Sequence, residues 1–118
     1  MLGKKFKTWL GMYSPEYKIG WTNFRAANLV TDETLRQSML IDAETAFSKV
    51  TPRFESYYAA QFRLACCKVA LKKFDEADEI IKIFETAKGQ NQIGGGKKQI
   101  PQHMLTDLNI WLAAERKK

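Results

Sequence analysis

Histidine and cysteine, the residues that most often hold transition metals or run nucleophilic chemistry, are nearly missing from this 118-residue chain, which has one His and two Cys. A metal site of Cys and His needs further ligands at set spacings, and His103 stands far along the chain from Cys66 and Cys67. The two cysteines are adjacent, so on a helix their side chains diverge by about 100° and cannot form an ordinary bridge. They read as buried free thiols, which points to an intracellular reducing compartment. His103 has no evident orienting carboxylate and lies in a different segment from either thiol, so no nucleophile and base are brought together. The expectation is a protein with no catalytic residues, no metal and no cofactor, and hence not an enzyme.

Long apolar runs are missing as well. The best candidate, LACCKVALKKF, is cut by lysines well short of the ~18–20 residues needed to cross a bilayer, so no transmembrane span is expected. No stretch alternates apolar and polar residues as a half-buried strand would. Acidic residues are absent before Glu16, while the whole chain carries a formal net charge of +6 and a pI near 9.4. That balance favours an anionic neighbour: nucleic acid, acidic lipid, or an acidic protein face.

The stretch KGQNQIGGGKKQIP, residues 88–101, carries most of the local glycine, and it fails as a phosphate loop. A P-loop needs G-x-x-x-x-G-K-[ST] between a strand and a helix, so that backbone amides, lysine and hydroxyl converge on phosphate and metal. Gly89 and Gly94 have the spacing, but Gly95 stands where Lys belongs and no Ser or Thr follows Lys97 or Lys98. Residues 89–100 therefore read as a flexible exposed Gly/Lys loop, with Lys97 and Lys98 as contacts for an anionic partner.

What is present is helical periodicity throughout. Residues 1–15 form a short basic amphipathic segment in which Phe6, Trp9, Leu10 and Tyr13 share a face and Lys4, Lys5 and Lys7 occupy others. Two readings stand for it: a helix docked on the core or a partner, or an import signal or membrane-surface contact. After Pro15, Tyr17, Trp21, Phe24 and Asn28 fall in one row beside Ala27, with Gly20 marking a break or irregular start. Thr31 and Asp32 cap a clearer helix with the stripe Leu35, Met39, Ala43, Phe47 and Val50.

Thr51-Pro52 predicts a helix start that carries the chain to about Lys72, with Phe54, Tyr58, Phe62, Ala65 and Val69 in one row. Asp75 is expected to cap the next helix and Gly89 to end it; the short link at Lys72, Lys73 and Phe74 makes the pair antiparallel. The last helix, within 101–118, buries Met104, Leu105, Leu108, Trp111 and Leu112. The predicted fold is thus one all-α domain, residues 1–118, of antiparallel helical hairpins stacked as a small repeat-like bundle of four to five helices.

QFRLACCKVALKKFDEADEIIKIFETAKG, within 51–89, resembles a tetratricopeptide unit: Leu64-Ala65, then Phe74, Ala77, Ile81 and Phe84, follow that family's order of large and small positions. Gln61 replaces the favoured Trp, Lys68 an aromatic, and Gly89 a common Pro. The match covers one repeat, whereas about three are needed for a peptide-binding groove. The run from Leu71 to Phe84 is also similar to the helical hairpin of cytochrome c oxidase subunit Va, a small all-helical accessory subunit. That resemblance implies a noncatalytic role docked on a larger mitochondrial respiratory-chain assembly, the compartment otherwise being cytoplasmic. The expected partners are other protein subunits, met through Lys4, Lys5, Phe6, Lys7, Trp9, Tyr13, Lys97 and Lys98. A basic helical nucleic-acid-binding module is the alternative, and the N-terminal segment allows peripheral membrane contact.

Overall fold

The computed structural model describes residues 14–54, 56–90 and 102–118, with 86–90 given by their backbone alone. Five helices and no strand occur among the described residues: α1 (Pro15–Ala27), α2 (Glu33–Ser48), α3 (Tyr57–Ala70), α4 (Phe74–Gln90) and α5 (Gln102–Arg116). The fold class is all-α, as the periodicity required. Each of the first four helices packs against the next, and α5 lies against both α3 and α4. The core runs through Phe47 of α2, Tyr58, Phe62 and Val69 of α3, Ile81 and Phe84 of α4, and Leu105, Leu108 and Leu112 of α5. No described helix is long and apolar enough to cross a membrane.

Helix α1 begins at a cap: the Ser14 hydroxyl oxygen accepts from the Tyr17 amide at 3.0 Å, and Pro15 occupies the first turn, where its missing donor costs nothing. The break expected at Gly20 does not occur, and α1 runs unbroken through it. Gly20 is fully packed against α2: a Cβ placed there would lie 2.7 Å from Cδ1 and Cε1 of Phe47. The missing side chain brings the two helices together, and that contact outweighs the roughly 1 kcal/mol that glycine costs inside a helix.

In α2, Asp32 is the N-cap and its Oδ1 accepts from the Thr34 amide at 3.2 Å. The expected stripe holds only in its second half. Ala43, Phe47 and Val50 are buried, joined by Leu40, Glu44 and Ala46, but Leu35 is 43% exposed. A row spaced by four residues drifts about 40° per step around a helix of 3.6 residues per turn, so Leu35 has rotated well away from the face that Phe47 marks.

Thr51-Pro52 does not start a helix. Residues 51–54 make successive turns, with the Phe54 amide donating to the Thr51 carbonyl at 3.2 Å, and α3 begins at Tyr57 behind Ser56. Here buried Val50 and half-buried Phe54 pack against the core across the turn, so these tertiary contacts rather than the local start signal decide where α3 begins.

The α3–α4 link is Leu71, Lys72 and Lys73, and its geometry is a Schellman motif. Lys72 sits in the left-handed region at φ 63°, its amide donates to the Val69 carbonyl at 3.0 Å, and the Lys73 amide donates to the Lys68 carbonyl at 2.7 Å. α4 therefore starts at Phe74, which puts Asp75 inside its first turn rather than at the cap, and it continues through Gly89 to Gln90. Residues 91–101, most of the Gly/Lys loop, lie outside the described residues, as do 1–13.

A candidate interaction surface

The eight residues that sequence reasoning placed at a partner, Lys4, Lys5, Phe6, Lys7, Trp9, Tyr13, Lys97 and Lys98, all lie outside the described residues. Their charge is nonetheless informative. Side chains that are described include thirteen Lys or Arg and twelve Asp or Glu, so the helical body is close to neutral and the net +6 resides in the N-terminal segment and the 88–98 stretch. Among the described residues the overall charge therefore adds little net attraction for a nucleic-acid backbone.

The cysteines are inert by position. Both are buried on α3; burial pushes the Cys66 thiol up to about 11 and the Cys67 thiol up to about 12, so neither forms the thiolate that nucleophilic or metal chemistry requires. His103 is exposed in the first turn of α5. Among the described residues no three His, Cys, Asp or Glu gather as metal ligands.

Behind the cysteines lies a polar cluster that joins three helices. Glu44 of α2, 8% exposed, accepts from Lys68 Nζ at 2.6 Å and from Lys73 Nζ at 3.0 Å; Lys68 Nζ also donates to Glu76 of α4 at 2.8 Å. Burial works to raise the Glu44 carboxyl, but the two lysines outweigh it and hold it below its ordinary value. Burial likewise disfavours the Lys68 ammonium, and its two carboxylates outweigh that and raise it. Every charge has a partner, which makes this cluster a structural clamp rather than a reactive site. A second link closes the far end, where Arg116 of α5 pairs with Asp75 and Asp78 of α4 at 3.2 and 2.5 Å.

Two surface features remain without an internal role. Of the five large apolar side chains exposed among the described residues, four lie on the α1–α2 hairpin: Ile19, Leu29, Leu35 and Ile41, with Leu29 in the turn 84% exposed. On the opposite flank of α1, toward α3, Trp21 is half-buried and stacks on Phe24 with ring centroids 6.0 Å apart. The guanidinium carbon of Arg63, on α3, lies 4.2 Å from the Trp21 ring centroid, and that of Arg25 lies 5.3 Å from it.

Sequence reasoning placed Trp21 in one helical row with Tyr17, Phe24 and Asn28 and did not single out either arginine. The Trp21–Arg25 spacing of four residues was the legible signal, since such pairs meet on one helix face. Arg63 carries no such signal, because only the packing of α3 on α1 brings it there. No family model matches the chain, and comparison with curated proteins and with solved structures likewise finds no match.

Proposed function

We propose that the chain is a noncatalytic protein–protein interaction module, an accessory or structural subunit of a larger assembly, with a mitochondrial respiratory-chain complex as the setting implied by its resemblance to a helical-hairpin subunit. The observation that carries this reading is the α1–α2 hairpin, which turns Ile19, Leu29, Leu35 and Ile41 outward while its inner face is packed on the core. Covering such residues on association yields roughly 25 cal/mol per Å² of apolar surface, a driving force that a solvated position forgoes. The resemblance to a tetratricopeptide unit is in keeping with this reading, since Ala60, Ala65 and Ala77 are fully buried in the same core as Phe62 and Phe84. The lysines at residues 4–7 and at 97 and 98 would orient the encounter and speed it, adding less to the affinity itself.

The test is native-gel migration of the untagged protein from gently solubilised cells, with mass spectrometry of what travels with it. Migration within a large assembly is expected. Migration as a free small protein overturns the subunit reading and moves nucleic-acid binding forward, in which case affinity for an oligonucleotide must fall steeply with added salt.

A further inference from the structure

Trp21 and the arginines beside it have an arrangement whose charge is left open. Two guanidinium groups lie within 5.3 Å of one indole centroid, so two like charges share one neighbourhood. Among the described residues neither Arg25 nor Arg63 forms an ion pair, whereas six described carboxylates, Glu33, Glu44, Asp75, Glu76, Asp78 and Glu115, pair with lysines or arginines elsewhere. Stacking on an aromatic face shields only the flat side of a guanidinium. Its N–H groups point outward in the plane, spaced to grip a carboxylate through two parallel hydrogen bonds.

We infer that the Trp21–Arg25–Arg63 cluster is a docking site for a carboxylate-bearing segment of a partner protein, one in which Asp or Glu side chains reach both arginines. This deepens the interaction-module reading and rests on it. Charge complementarity selects the occupant. A carboxylate beside either guanidinium neutralises its charge, and at Arg63, which is half-buried against the ring, that pairing is less weakened by water. The composition, one Trp and two Arg over a packed base, is that of residues that dominate binding energy at protein interfaces. A nucleic acid fits less well. The α1–α2 hairpin carries Glu16, Asp32, Glu33, Asp42 and Glu44 against Lys18, Arg36 and Lys49, so it adds no net positive charge to the two arginines along which a repeating phosphate backbone could continue.

The experiment measures anisotropy of a short fluorescein-labelled peptide of Glu, Asp and Leu at physiological ionic strength, with a single-stranded oligonucleotide of equal charge as comparison. Four full-length proteins are used: wild type, R25K/R63K, R25K alone and K97A/K98A. The lysine replacements keep the charge and remove the planar fork, while K97A/K98A removes two charges and leaves the cluster. The expected result is peptide binding by wild type, weakened about tenfold or more in R25K/R63K and less in K97A/K98A, with the oligonucleotide bound no more tightly than the peptide. Because Arg25 is exposed, R25K keeps the fold, and it is expected to weaken binding in the same direction.

Absence of peptide binding overturns the inference. So does unchanged affinity in R25K/R63K, a loss in K97A/K98A as large as in R25K/R63K, or tighter binding of the oligonucleotide that depends on the arginines. If R25K/R63K still migrates within the large assembly with its peptide affinity unchanged, the docking site falls and the subunit reading stands. Free migration of wild type with arginine-dependent peptide binding gives the reverse.

Discussion

Gly20 of α1 lies against the ring of Phe47 of α2 with room for nothing larger than hydrogen, since a Cβ would come within 2.7 Å of two ring carbons. Phe47 is itself fully buried and sits where α1, α2 and the core meet, with Tyr17 tilted against it at a centroid distance of 5.7 Å. The contact therefore sets the separation of the hairpin that carries both surface features described above.

Gly20→Ala is expected to destabilise the protein even though Ala is the better helix former. Overpacking of a buried ring costs about 1–3 kcal/mol, against a propensity gain near 1 kcal/mol. Urea unfolding of G20A, F47L and the double variant checks this: the F47L change should cost less in the G20A background than alone, and independent effects would show that the contact is loose.

Lys72→Gly is expected to stabilise by about 0.5–1 kcal/mol, because glycine adopts the left-handed conformation at the end of α3 without the Cβ penalty that Lys72 carries, less some added freedom in the unfolded chain. A lowered urea midpoint in K72G would mean that the lysine side chain contributes more than its backbone strain costs.

Replacing Glu44 by Gln is expected to cost roughly 1.5–3 kcal/mol at neutral pH by leaving Lys68 and Lys73 without their shared carboxylate. The pH dependence has a definite sign. Glu44 is held below its ordinary value of 4.5, so its contribution is complete above that pH and is lost as pH falls through the lower folded value. The stability difference between wild type and E44Q should therefore be constant from neutral pH down to about 5 and shrink below 4.5. Lys68, raised above 10.5, contributes fully below that pH and loses its contribution as pH climbs past it. An acid limb unchanged by E44Q would remove Glu44 as its cause.

Cys66 and Cys67 are expected to resist a thiol reagent in the native protein at about pH 8 and to react together once urea unfolds it, since burial keeps both as neutral thiols. Rapid labelling of one thiol in native buffer would show an accessible thiolate and reopen cysteine chemistry.

The helices were legible because their signals are local. Asp32 caps α2 as its side chain and position predict, and of the row Phe54, Tyr58, Phe62, Ala65 and Val69 the last four are buried on α3 as their spacing requires, while Phe54 lies half-buried ahead of the helix. Thr51-Pro52 misled because a good local start signal lost to the packing of Val50 and Phe54 on the core across the turn. Asp75 looked like a cap, and the Schellman turn at Lys72 took over the end of α3 and moved the start of α4 ahead of it. Lys68 gave no local sign of its role, because its partner, the carboxylate of Glu44, lies on another helix.

By itself, then, the sequence determined the all-α class, the antiparallel α3–α4 pair and the lack of any bilayer-length apolar run, because periodicity, short links and run length act along the chain. The tertiary structure alone decided that Gly20 is a packing residue, that Glu44 is buried between two lysines, and that Arg63 meets Trp21. Each of these depends on a partner distant in sequence, and the free energy of a contact between helices is written in neither helix alone.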